Sequence, residues 1–195
     1  MHWTDGLVAA ERARTCAEPL LHSLSSWMLN VYDISGKDPR NHFFEHWQQL
    51  LGFEIGWAKL DIASRECREY GVNPSDCEIV MMRASGLSEC HLHEHGSSTL
   101  FVLGEGYGSP APSGGILVAD YIEGKRDYLL EPIRHKTGDI VEVPAGKIHA
   151  FFADPGGQLA LIGFVRPRIK RGDEFDVVPF DYVSHIPSVR VRKRD

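Results

Sequence analysis

With 195 residues the chain has room for one ordinary domain and an appendage, or for two very small ones. Hydrophobic residues make up 43% and charged residues 25%, the mix of a folded globular protein, and no apolar run approaches the length that crosses a bilayer. A net charge of −6 argues against general nucleic-acid binding, and the four cysteines (Cys16, Cys67, Cys77, Cys90) lack the CxxC spacing of a zinc knuckle or a redox pair.

The opening residues, Met1-His2-Trp3-Thr4-Asp5-Gly6, have neither the basic start nor the apolar stretch of a secretory signal, so a cytoplasmic protein is expected. Helical spacing follows. Asp5 can cap a segment running to Ala17, Pro19 restarts a second, and Leu20, Leu21, Leu24, Trp27, Met28 and Val31 recur on one face. Asp38-Pro39 opens a third helix with Phe43, Trp47, Leu50 and Leu51 on its apolar face and Gly52 as its stop. A fourth is expected over residues 56–70, ended by Gly71.

Past Asn73-Pro74-Ser75 the pattern changes to short runs of β-formers punctuated by Gly, Pro or Asp. Strands are expected over residues 78–84, 89–95, 99–103, 115–123, 127–130, 139–143, 147–153 and 158–167. Phe101, Tyr121, Tyr128, Phe151 and Phe164 are expected to pack this region, and residues 107–115 read as a mobile loop beside Tyr107. The resulting organisation is a helical extension over 1–75, a β-barrel over 76–168 and a C-terminal tail over 169–195. The basic stretches 166–171 and 190–194 read as solvated chain without the interleaved aromatics of a single-strand binder.

Ten histidines are present, three of them in Cys90-His91-Leu92-His93-Glu94-His95-Gly96. In a strand alternate residues share a face, so His91, His93 and His95 point one way and Cys90 the other. Imidazoles buried together are costly without partners and repel when protonated, whereas a divalent cation binds them neutral and removes both penalties. The second feature is Gly138-Asp-Ile-Val-Glu-Val-Pro144-Ala-Gly146-Lys-Ile-His149. Here Pro144-Ala-Gly146 turns between two strands, the second presenting His149 and Phe151 on one face and Ile148, Ala150 and Phe152 on the other.

These two segments resemble the paired motifs of the cupin superfamily, G(X)5HXH(X)3,4E(X)6G and G(X)5PXG(X)2H(X)3N. Gly138, Pro144, Gly146 and His149 keep the register of the second motif, with Ala153 in place of its final Asn. Gly86 precedes His91 by one residue fewer than the first motif asks, and 101–106 resembles the strand that follows it. The resemblance covers residues 76–168 and implies a double-stranded β-helix, a jelly-roll barrel, with a metal at its centre. Measured back from Val102-Leu103, its ligand pair falls on His91 and His93, and His149 is the third ligand. His95 matches a third histidine that is not usually a ligand, with His93 and His95 as the alternative pair.

The departure from the motif is the missing glutamate, whose place is taken by Ser97 or Ser98. A serine hydroxyl is a poor ligand, so three neutral imidazoles are expected to leave the metal its full charge and open positions. Glu94 and Glu142 are the carboxylates that could complete the site. Three-histidine sites in the superfamily imply an iron(II) dioxygenase acting on a small chelating substrate such as a diketone, a gentisate-like ring or a thiol. Zinc, nickel or manganese in a redox-neutral lyase or isomerase is the alternative, and a binding module without turnover is the third. A small-molecule substrate and a homodimer are expected, with neither nucleic acid nor membrane as partner. A rival metal pattern, His42-Phe43-Phe44-Glu45-His46, fits H-x-x-E-H, which needs a helix to bring its histidines together.

Overall fold

A computed structural model describes residues 44–50, 52–58, 78–104, 109–166, 177–184 and 188–194. Its strands are β1 (Phe44–Leu50), β2 (Phe53–Ala58), β3 (Glu78–Ala84), β4 (Cys90–His93), β5 (Ser97–Val102), β6 (Gly114–Asp120) and β7 (Asp127–Leu129). They continue with β8 (Glu131–Arg134), β9 (Ile140–Val143), β10 (Lys147–Ala153), β11 (Leu159–Arg166), β12 (Val177–Ser184) and β13 (Arg190–Lys193). No helix occurs among the described residues, and none there is long and apolar enough to cross a membrane, which says nothing of strands.

The strands form two antiparallel sheets. The first has the order β1-β2-β3-β11-β5-β9 and the second β7-β13-β12-β4-β10-β6-β8. Period-two alternation decides what lies between them. Phe53 from β2, Val80, Met82 and Ala84 from β3, Leu100 and Val102 from β5, Val141 and Val143 from β9, and Leu159, Leu161 and Val165 from β11 meet Ile116 and Phe151 from the second sheet in one buried cluster. Burying a side chain of this size contributes about 1.5–3 kcal/mol, so this layer is the main force holding the sheets face to face. Phe53 and Phe151 stack across it at 5.8 Å.

The second sheet also curls. β7 and β8 are its two edges, yet only Leu130 separates them along the chain, so the sheet bends until its edges meet. Its other face thereby becomes an interior of its own, filled by Cys90, Leu92, Leu117, Tyr128, Leu130, Ile148, Ala150, Phe180 and Val191. A nearly closed, mainly β barrel of this kind is consistent with the jelly-roll expectation.

Several expectations need correction or extension. Residues 44–50, expected as a helix from Asp38, are β1, and the start of the fourth expected helix is β2. Trp47, Leu50 and Leu51 satisfy helical spacing, but tertiary pairing overrides it. β2 lies in register on β3 (Phe53↔Ala84, Ile55↔Met82, Trp57↔Val80), with a cross-strand ion pair between Arg83 and Glu54 at 3.2 Å. Gly52 is the hairpin turn (φ +66°) rather than a helix stop; a Cβ there would lie 2.8 Å from the Leu87 carbonyl oxygen. The rest of the expected helical extension lies outside the described residues.

The 78–84 and 147–153 strands have the expected bounds, whereas β8 was not anticipated. Gly114 and Gly115, expected in the loop, open β6, and Ser109 is buried; Tyr107 lies outside the described residues. β12 and β13 come from the stretch read as the C-terminal tail, and β12 pairs directly with β4. Of the aromatics, Phe151 packs between the sheets, Tyr128 fills the second interior, and Phe101 and Phe164 are fully buried outside the inter-sheet cluster.

Candidate metal centre

His91 and His93 lie on β4 and His149 on β10, and the antiparallel register sets His149 directly opposite His91. Their neighbours fix which way they point. Leu92, Ile148 and Ala150 belong to the second interior, so the alternate residues His91, His93, His149 and Phe151 face the space between the sheets. Cys90 packs in the second interior, away from the histidines, and burial pushes its thiol up to about 12.

The rings converge. Centroids lie 4.5 Å apart for His91 and His149, 4.9 Å for His91 and His93, and 5.6 Å for His93 and His149. One ring nitrogen from each residue comes within 4.8 Å of the other two, a spacing from which small side-chain rotations reach a single ion. His149 is 4% exposed, while His91 and His93 are partly exposed.

The tautomers are set by the backbone. Nδ1–H of His149 donates to the Lys147 carbonyl at 2.9 Å and Nδ1–H of His91 to the Glu89 carbonyl at 3.3 Å. Each bond leaves the Nε2 lone pair directed into the cluster, as a metal requires. Burial, then the charge of His93, brings His91 down to about 4 against the pull of the Glu89 carbonyl. Burial and the charge of His91 hold His149 well below the ordinary imidazole value, the Lys147 carbonyl opposing and His93 adding to it. Both are therefore neutral at pH 7, the protonation state a divalent cation needs. Donor type, convergence and charge all fit a divalent metal.

Three contacts brace the two strands that carry the histidines. The Pro144-Ala-Gly146 turn reaches β4 through the Gly146 N–H, which donates to the His93 carbonyl at 2.7 Å; Gly146 has φ +75°. Ser88 is 4% exposed and clamps β10: its hydroxyl accepts from the Phe151 N–H at 2.9 Å and its N–H donates to the Phe151 carbonyl at 2.9 Å. The Tyr182 hydroxyl, on β12, donates to the Ser88 carbonyl at 2.6 Å. Ser88 and Tyr182 were not singled out in the sequence, because their partners lie 63 and 94 residues away and leave no local pattern.

The other sequence candidates separate from the triad. His95 and Glu94 are exposed past the end of β4, and neither joins the histidine group. Glu142 is exposed between the buried Val141 and Val143, on the opposite face of β9 from the inter-sheet cluster. Ser98 alternates with Leu100 and Val102 and so shares the inner face, whereas Ser97 takes the other. Among the described residues no Asp or Glu completes the cluster. His42 of the rival pattern lies outside the described residues. Glu45 and His46 lie in β1, a strand rather than the helix that the pattern needs.

No family model matches the chain, and no curated protein matches it. Among solved structures it is similar to a variant of PAC13 from Streptomyces with uridine, at 16% identity over 75% of this chain and 92% of that one, with a TM-score of 0.46; Pac13 is described as a nucleoside dehydratase. It is also similar to KdgF from Halomonas sp. (19% identity, 65% and 95% covered, TM-score 0.40). A third is the capsular polysaccharide assembling protein CapF from Staphylococcus aureus (11% identity, 69% and 31% covered, TM-score 0.46). At these identities and scores they establish neither a shared family nor a shared activity.

Proposed function

We propose that this protein is a divalent-metal enzyme whose ion is held by His91, His93 and His149, and that it is an iron(II) dioxygenase of a small chelating substrate. One observation carries the reading: three imidazoles converge with no carboxylate in their group among the described residues. Neutral ligands do not offset the charge of the ion, so an anionic bidentate substrate gains most by binding there. Bound in this way, iron(II) supplies the redox couple through which dioxygen reacts with an electron-rich substrate.

The protein's own contributions are positional. Carbonyls of Glu89 and Lys147 hold two imidazoles in the ligating tautomer, and Ser88 keeps β10 fastened beside β4. Phe151, whose ring lies 5.9 Å from that of His149, closes the inner end of the site with an apolar wall that excludes water. The partly exposed sides of His91 and His93 are the approach for substrate.

Anaerobic purification, elemental analysis and iron(II) reconstitution, followed by oxygen-uptake measurements with diketones, phenols and thiols, test this. Stoichiometric iron and oxygen consumption with one substrate class are expected. Iron that binds without any oxygen consumption would overturn the dioxygenase. Zinc, nickel or manganese with oxygen-independent turnover would replace it by a redox-neutral lyase or isomerase.

A further inference from the structure

One charged pair shares the face of the triad. Lys147 lies two residues before His149 on β10, and Asp120 is its register partner on β6, just as Val118 is the partner of His149. The Lys147 Nζ lies 2.6 Å from the Asp120 carboxylate. The antiparallel register that sets His149 against His91 brings Lys147 to the level of His93, and the Gly146 N–H bonded to the His93 carbonyl keeps it there. A row of side chains thus runs Asp120, Lys147, His93, Val177 along the inner face of four neighbouring strands, one step towards solvent from Val118, His149, His91 and Pro179.

Stability does not require this pair. The Asp120 side chain is 83% exposed and that of Lys147 29%, and ion pairs so open to water contribute little to folding. An ammonium at the rim of a cationic centre, paired with a carboxylate that is itself mostly exposed, is a device for receiving a second negative charge. We propose that Lys147 forms an anion subsite beside the histidines, and that the substrate carries a carboxylate a few bonds from the oxygens that chelate the metal. Asp120 parks the ammonium in the free protein and competes with that carboxylate when substrate arrives. The inference rests on the metal reading above and adds the substrate class to it.

The two residues then have opposite effects on binding, which a merely structural pair would not produce. Cobalt(II) is loaded into the wild-type protein, and its visible ligand-field spectrum is titrated with lactate, malate and 2-hydroxyglutarate. These share one chelating head and differ in whether a second carboxylate follows, and at what distance. At least one dianion is expected to bind about tenfold tighter than lactate. Lys147→Met, which keeps the main-chain carbonyl that orients His149, removes that preference; Asp120→Asn tightens the dianion. An equal response to all three acids, no response to any, an unchanged preference in Lys147→Met, or a loss in Asp120→Asn matching that in Lys147→Met would each overturn the subsite. Failure of the metal reading is distinct: cobalt would then give no ligand-field spectrum, or the same one in His149→Ala.

Discussion

At the scale of single residues, the histidine cluster depends on groups that are not part of it. Ser88 satisfies the buried Phe151 N–H and carries the Tyr182 hydroxyl on its carbonyl. Ser88→Ala strands that N–H without a partner and is expected to cost about 1–3 kcal/mol, read from chemical denaturation. Because β10 loosens where it carries His149, cobalt affinity should fall in the same variant. Cys90 makes the opposite case of a residue that lies next to the cluster and takes no part in it. Its thiol, buried and pushed up to about 12, stays protonated at pH 8, so mass-mapped alkylation at Cys90 should be absent in native protein and complete after denaturation. Labelling of Cys90 in the folded state would show that the second interior opens. The histidines themselves were legible from spacing, since two residues apart on a strand means one shared face. The ring nitrogens that point inward were not, because backbone carbonyls at Glu89 and Lys147 choose them.

At the scale of elements, pairing decided what local pattern left ambiguous. The β1–β2 segment opens on helical periodicity, and its hairpin on β3 overrides it by burying Phe53 against Phe151. A similar long-range tie joins β8 to the turn after β10. Arg134 grips Asp154 through two bonds of 2.7 and 2.8 Å, and the Ser113 hydroxyl donates to the same carboxylate at 2.9 Å. Arg134 and then Ser113 bring Asp154 from 3.8 down to about 2. A carboxyl depressed in the folded state stabilises it fully above the unfolded value and ceases to do so as the pH falls through the folded one. The thermal stability advantage of wild type over Asp154→Asn should therefore be constant above about pH 5 and vanish between about pH 4 and pH 2. An advantage that persists at pH 2 would mean that the tie acts through packing rather than charge.

At the scale of the whole molecule, an ion held by the three histidines would link metal binding to folding. β4 and β10, which carry the three histidines, belong to one sheet, and β12, from the far end of the described chain, pairs with β4 along the whole of β4. An ion bound to the folded site and not to the open chain adds about 2.7 kcal/mol at a hundredfold excess over Kd, or about 5–10 °C in Tm for a chain of this size. Chelation should lower Tm by that amount in wild type and leave His149→Ala unmoved. An unchanged Tm in wild type would argue against a resident ion.

The amino-acid sequence by itself determined the strand-rich character after Pro74, the two histidine segments and the faces on which His91, His93 and His149 lie, because period-two alternation and turn residues act within a few positions. Tertiary structure alone decided the rest. It made β1 and β2 strands, drew β12 and β13 into the second sheet, curled that sheet until β7 and β8 met, turned Glu142 away from the triad and set the Lys147–Asp120 pair beside it. Each of those outcomes depends on hydrogen bonds and burial between residues far apart in the chain, and local pattern carries no record of such partners.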